Sequence, residues 1–413
     1  MGVPSVIGFR PSMPLTILAD DLTGACDSGA LFAGRGRVGL FVEPASPGPE
    51  WAVAAVDTES RTLPPAEAAE GVRLAASRIT ERLREGRVFK KIDSTMRGAV
   101  GPEVEALLVA AQARTALVCP AFPAEGRTVV AGILRVHGIP AHESAVGRDP
   151  DYPAPTSDLL EILQKQVPRP VAHLPLEVVR GGDDGLRRAV ERTTAPLVVA
   201  DAERDADLDA LVRAGVGLPG ILLAGSAGLA RRLASALGHA SDPVPLPPRR
   251  GWLIVAGSLH PATGAQIEAL TAAGLQGICV EADGAPPDPA DVVAALAAHQ
   301  PTFIAARGPA ASPGPRERAG MAERLARVAA GVLAAATPDL VCATGGETAL
   351  ALVRALAATR LELLGSPGLG LALAEVIRHN PAGLHGPGLF LLTKAGGFGP
   401  PDLFMTLIRG TPR

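Results

Sequence analysis

The stretch Lys90-Lys91-Ile92-Asp93-Ser94-Thr95-Met96-Arg97-Gly98 gathers two ammoniums, a guanidinium, a carboxylate and two hydroxyls. The chain holds four lysines against a large excess of arginine, and two of the four stand side by side here. Such a set suits a small, anionic, polyhydroxylated ligand: cations meet its carboxylate or phosphate, Asp93 accepts from hydroxyls, and Gly98 lets backbone come close. A solvated loop with a local ion pair is the other reading of this string taken alone. Two more strings in the first half carry related groups. Asp20-Asp21-Leu22-Thr23-Gly24 offers adjacent carboxylates, and Thr58-Glu59-Ser60-Arg61 ends in a second guanidinium. Adjacent side chains diverge on an extended backbone, so at most one of Asp20 and Asp21 faces a cleft while the other caps a helix or orients a neighbour.

In the second half the chemistry rests on glycines. Gly257-Ser258, Gly345-Gly346-Glu347-Thr348 and Lys394-Ala395-Gly396-Gly397-Phe398-Gly399 each follow an apolar run, and the last carries another of the four lysines. Consecutive backbone N–H groups at such turns can point at one anion with a helix dipole behind them, which makes a phosphate cradle. Tight turns alone would account for any single one of the three.

Strands must end where these groups begin. Leu15–Ala19, 52–57 and 87–92 are short apolar or alternating runs that each finish in polar or charged residues, and 116–119 is a fourth run, followed by Pro120-Ala121-Phe122-Pro123. In open α/β sheets, ligands bind beyond the carboxyl ends of the strands, so several such ends assemble one pocket from distant segments. Between them the pattern predicts a helix from Leu22 to about Ala33, a long amphipathic helix over 64–85, and a helix beginning at Gly101-Pro102-Glu103. Short runs from Val129 to Ile139, broken by Gly132 and Gly138, predict a hairpin excursion, and the Pro-rich segment from Glu143 to Thr156, with Asp149-Pro150-Asp151-Tyr152-Pro153, a loop bordering the cleft. Gly34-Arg35-Gly36-Arg37-Val38-Gly39 matches a dinucleotide-binding string by letter. It lies between a helix and a strand, the reverse of the required order, and is set aside.

Proline density at 241–250 forbids helix and central strand, which places a stiff linker there. The expected fold is therefore α/β, with two α/β domains, mainly parallel sheets and a cleft between them: residues 1–240, the linker, and residues 251–413. At 413 residues one ordinary core would be exceeded. A net charge of −3 without a basic stripe argues against nucleic acid or an anionic membrane as partner. The four cysteines show no C-x-x-C spacing and no metal-ligand string occurs, so buried thiols, a cytoplasmic location and no protein metal site are expected.

Taken together, the strings around Asp20-Asp21, Asp57-Thr58-Glu59-Ser60-Arg61, Lys90 to Gly98, Pro120-Ala121-Phe122-Pro123 with Gly126-Arg127, Gly257-Ser258, Thr344 to Ala349 and Thr393 to Gly399 resemble the four-carbon acid sugar kinase family, in order from about residue 15 to 404. The resemblance implies an ATP-dependent kinase for threonate, erythronate or 3-oxo-tetronate, acting with Mg²⁺, with an N-terminal acid-sugar domain and a C-terminal nucleotide domain. It implies substrate contacts at Asp20 or Asp21, Arg61, Lys91, Ile92, Asp93, Ser94 and Arg97. It implies ATP contacts at Ser258, Gly345, Gly346, Glu347, Thr348, Lys394, Gly396, Gly397, Phe398 and Gly399. Leu364-Gly365-Ser366-Pro367-Gly368 departs from the longer, acidic strand-turn of the family. Asp20 and Asp21 are the candidates for the general base, with Asp93 reaching the same cleft, and domain closure would bring hydroxyl and phosphate together. The rival readings are a phosphatase acting on phosphorylated sugar acids and a non-catalytic sugar-acid sensor. The partners expected are the sugar acid and ATP, with a homodimer as the assembly considered.

Overall fold

Apolar, β-branched runs between polar turns form the strands of the computed structural model, which describes residues 13–42, 47, 48, 50–85, 87–148, 153–240, 242–247, 251–307, 314–378 and 388–410. Two compact units result, one ending at Ser241 and the other starting at Asp242 and also taking in a short stretch from Gly39. The strands before that boundary are β1 (Leu15–Ala19), β2 (Val38–Phe41), β3 (Val53–Asp57), β4 (Arg87–Lys91), β5 (Thr115–Cys119), β6 (Arg127–Val130), β7 (Ile133–Val136), β8 (Ile139–Pro140), β9 (Val171–Leu174), β10 (Leu197–Ala200) and β11 (Ile221–Gly225). In the first unit a parallel sheet runs in the order β3-β1-β4-β11-β5-β10-β9. Its inner strands read as unbroken apolar runs buried on both faces, as a parallel sheet covered by helices requires. The excursion is a separate antiparallel sheet, β6-β7-β8.

The order places the site. From β1 the chain steps to β3 on one side, then back past β1 to β4 on the other. Right-handed crossovers put the two connecting segments on opposite faces, which opens a crevice at the carboxyl end of β1.

The second unit repeats the logic with β12 (Trp252–Ala256), β13 (Gln276–Glu281), β14 (Thr302–Arg307), β15 (Leu340–Thr344), β16 (Ala358–Gly368), β17 (Leu371–Arg378) and β18 (Leu389–Lys394). The order β13-β14-β12-β15-β18 is parallel, and β17 and β16 extend it antiparallel. Here β12 sits between β14 and β15, so the switch lies at its carboxyl end. Trp252, Ile254, Phe303, Cys342, Leu392 and Phe404 centre the core.

Three elements differ from expectation. The long helix over 64–85 is two helices, Pro65–Arg78 and Thr80–Glu85, broken at the buried Ile79. The hydroxyls of Ser77 and Thr80 donate to the carbonyls of Leu74 and Ser77 at 2.8 and 2.9 Å, competing with the helix ladder at the break. The helix after β1 is shorter, Leu22–Ala30. Residues 358–378 form a hairpin that Gly365, Pro367 and Gly368 disguise as a turn; irregularities between Leu363 and Gly365 and between Gly365 and Gly368 absorb them. The described residues 242–247 of the proline-rich stretch adopt neither helix nor strand. Asp149, Pro150, Asp151 and Tyr152 of the expected border loop lie outside the described residues. Among the described residues no helix is long and apolar enough to cross a membrane, and all four cysteines are free thiols, three of them buried.

Candidate active site

In the first unit several strands stop at one level. Ala19 pairs with Asp57 on one side and Lys91 on the other, and Lys91 pairs in turn with Gly225. The next residues, Asp20, Thr58, Ile92 and Ser226, therefore begin neighbouring loops. Arg61 reaches across them: Nε and Nη2 donate to the two oxygens of Asp20 at 2.8 and 2.7 Å, and Nη2 also lies 2.7 Å from Asp21 Oδ1. Its Nη1 donors meet no acceptor among the described residues. Asp20 is buried, and although burial works against its charge, the guanidinium of Arg61, with Lys90 and Lys91 behind it, holds the carboxyl below the usual range. Asp21 caps the helix Leu22–Ala30, accepting from Gly24 N at 2.9 Å and from the Thr23 hydroxyl at 2.6 Å.

The two lysines part company. Lys90, fully buried, donates to Lys91 O at 3.1 Å and pairs with Oε2 of the buried Glu103 at 2.7 Å. Lys91 donates to Ile92 O at 3.0 Å, and a Cβ on Gly24 would come within 3.2 Å of its ammonium. Glycine at that position lets Lys91 approach the helix start. Ile92 contributes backbone alone, its N–H donating to Gly225 O at 2.9 Å and its side chain being buried.

Asp93 closes the loop on itself. Arg97 Nε and Nη2 donate to its two oxygens at 3.0 and 2.8 Å, Thr95 N donates at 3.0 Å, and the Thr95 hydroxyl donates as well. Burial opposes the charge, but Arg97 and Arg61 hold this carboxyl well below the ordinary range. Met96 pays for the tight turn with a φ of +64°. Gly98 follows at +91°, where a Cβ would come within 3.3 Å of Arg61 O. Ser94 sits half-buried within this loop.

In the second unit Ala256 pairs with Thr344, and Thr344 with Lys394, so three turns again share a level. Ser258 stands among them: a Cβ on Gly345 would lie 3.4 Å from Ser258 Cβ, and one on Gly396 would overlap Ser258 Oγ. Gly345 has a φ of +96° and precedes the helix Gly346–Ala355, whose N-terminus no side chain caps. Thr348 is buried; Glu347 is exposed, 3.8 Å from Arg318. Lys394 donates to the carbonyls of Ala395, Gly396 and Phe398 at 2.8, 3.0 and 2.9 Å, and burial pushes its ammonium down to about 8. It holds the shape of the 395–399 turn from inside. Thr263 donates to Gly396 O at 2.7 Å, and Gln266 Nε2 reaches Phe398, Gly399 and Pro400 carbonyls at 3.0 to 3.2 Å. With the carbonyls drawn inward, the turn's outer face is left to backbone N–H groups. A turn that glycine Cβ atoms would fill fits a polyphosphate.

Sequence reasoning gave no site role to Glu103, Thr263, Gln266 or His260. The Nδ1 atom of His260 accepts from Ala262 N at 3.1 Å, and its Nε2 is 3.0 Å from a Cβ built on Gly397. Its place just before Pro261 at a helix start was the available signal. Among the described residues no group of three His, Cys, Asp or Glu side chains is placed to hold a metal ion. A divalent cation brought in on a polyphosphate needs only one or two carboxylates of its own.

Fold and sites define a two-domain α/β protein with a charged strand-end crevice in one unit and glycine turns in the other. The match to known families agrees: residues 15–233 match the sugar-binding N-terminal domain model and residues 253–404 the nucleotide-binding C-terminal domain model. The chain belongs to the four-carbon acid sugar kinase family. It is 34% identical to the D-threonate kinase of Bordetella bronchiseptica over 94% of this chain and 95% of that one. Against the 3-oxo-tetronate kinase of Cupriavidus necator the figures are 31%, 96% and 96%. A match to the D-threonate kinase of Salmonella typhimurium at 36% identity spans 62% of this chain and 60% of that protein's length. The same fold occurs in the crystal structure of a putative tRNA synthase from Salmonella typhimurium LT2, with a TM-score of 0.75 at 23% identity over 95% of this chain and 98% of the other.

Proposed function

We propose that the chain transfers the γ-phosphoryl group of ATP to a terminal hydroxyl of a four-carbon sugar acid of the threonate, erythronate or 3-oxo-tetronate type. The carrying observation is the strand-end cluster of the first unit, where cations and carboxylates are fixed before any ligand arrives. Arg61 is locked by Asp20 and Asp21 with its Nη1 donors left over, and Lys91 retains donors beyond its bond to Ile92 O. These meet the acid's carboxylate. Asp93 and Arg97 shape the loop that brings Ser94 and the backbone to the sugar hydroxyls.

The nucleotide's phosphates lie on the turns at Gly345-Gly346 and Gly396-Gly397 beside Ser258, with Glu347, Thr348, Phe398 and Gly399 around them and Lys394 supporting the turn. Mg²⁺ enters with the nucleotide and offsets phosphate charge. The relatives named as D-threonate and 3-oxo-tetronate kinases support the reading.

Arg61→Ala tests the carboxylate assignment. A charge-assisted contact of about 1.5–3 kcal/mol is lost, so the KM for the sugar acid should rise roughly ten- to a hundredfold while the KM for ATP stays near its original value. An unchanged sugar-acid KM removes Arg61 from the site.

A further inference from the structure

Phosphoryl transfer needs a group to take the proton of the attacking hydroxyl. Such a group has to be a carboxylate that is reachable by the ligand, charged near neutral pH and not already engaged. The strand-end aspartates fail the last condition. Asp20 grips Arg61 with both oxygens, Asp21 holds the helix start and Arg61, and Asp93 is wrapped by Arg97 and Thr95. Asp57 fails too: its Oδ1 accepts from Glu59 N at 2.9 Å, its Oδ2 is buried without a partner, and burial pushes its carboxyl well above the usual range.

Asp27 meets all three. Every residue of the helix Leu22–Ala30 is buried except Asp27, which is half-buried. A short polar side chain is a poor choice in mid-helix on propensity alone, and no hydrogen bond or ion pair among the described residues explains this one. The charged groups bearing on it come from several elements: Lys91 at the end of β4, Arg231 on the helix Ala227–Ala236, Glu125 in the turn after β5, and Asp21 at its own helix start. Asp27 stands three residues after Gly24 on the same helix face, and a Cβ on Gly24 would come within 3.2 Å of the Lys91 ammonium, so Asp27 lies on the side of the helix that Lys91 approaches from the strand ends.

Resting on the kinase reading, we propose that Asp27 is the catalytic base of this reaction, and that Asp20, Asp21 and Asp93 hold the cations and the loop. As the terminal hydroxyl oxygen forms its bond to the γ-phosphorus, the bond from that phosphorus to the β–γ bridging oxygen breaks. ADP leaves with the electron pair, the hydroxyl proton passes to the Asp27 carboxylate, and water takes it from there. Lys91 steadies the Asp27 carboxylate before transfer. Burial, against the pull of Lys91 and Arg231, moves this carboxyl up to about 6, close to the value at which a base is both available and strong enough.

The test is the pH profile of kcat/KM for the sugar acid at saturating Mg-ATP. A base must be unprotonated to act, so the wild-type rate should climb with pH through about 6 and level off above it. Asp27→Asn should lower kcat by roughly 10²–10⁴-fold, flatten that limb, and leave ATP affinity by calorimetry unchanged. Asp27→Glu should keep a limb at a displaced pH, which covers the case in which the amide variant does not fold. Asp93→Asn should raise the sugar-acid KM and keep the limb. Asp27→Asn with kcat within tenfold of wild type, or with a residual rate that retains the limb, overturns the assignment. If wild type forms no ADP with any four-carbon acid, the kinase reading fails instead, before any variant is made.

Discussion

Replacing Lys90 by Met should destabilise the first unit by about 3–5 kcal/mol, because it leaves Glu103 charged and unpaired in the interior. Both side chains are buried and their one ion pair is 2.7 Å long, while Glu103 Oε1 already lacks a partner. Replacing both residues, as Lys90→Met with Glu103→Leu, should recover most of the loss, since apolar groups of similar size often match a buried pair. Urea midpoints for the single and double variants decide the matter. The double variant should also keep its sugar-acid KM, because the ammonium that faces the crevice is that of Lys91. A double variant as unstable as the single one, or one that no longer binds sugar acid, would show that Lys90 does more than balance Glu103.

Gly396→Val should raise the KM for ATP about a hundredfold, roughly 2.7 kcal/mol, with little change for the sugar acid. The added Cβ collides with the Ser258 hydroxyl and would lie 2.8 Å from Ser258 Cβ, in a turn pinned from beneath by Lys394, Thr263 and Gln266. The turn cannot retreat, so the added bulk projects outward, where phosphate oxygens must approach backbone N–H groups. Separate titrations of ATP and sugar acid measure the split. Loss of sugar-acid affinity alone would mean that the two ligands had been given to the wrong units.

Much of this arrangement was written locally. Leu15–Ala19, Trp252–Ala256 and Leu340–Thr344 are apolar runs that stop at polar or glycine residues, so the sites could be placed at strand ends from sequence. What escaped notice depended on partners far along the chain. Alternation says that Lys90 and Lys91 face opposite sides of the sheet, but which of them finds a carboxylate partner depends on a helix that brings up Glu103. Asp20 looks like a free carboxylate until Arg61, 41 residues on, closes on it. Lys394 looks like a phosphate ligand until the carbonyls of its own turn surround its ammonium. The β16–β17 hairpin was hidden because bulges make room for glycines and a proline that ordinarily end strands. Asp27 lies three residues beyond the Asp20–Gly24 string, and only its isolation in the fold sets it apart.

The central claim is ATP-dependent phosphorylation of a four-carbon sugar acid. ADP release should be measured with ATP and Mg²⁺ against a panel of threonates, erythronates and 3-oxo-tetronates of both configurations, and the product analysed for its phosphorylated position. ADP should form only when an acid of this class is present, in equal amount with an acid phosphorylated at its terminal hydroxyl. Release of inorganic phosphate from phosphorylated sugar acids without nucleotide, or binding of these acids without turnover, would contradict it.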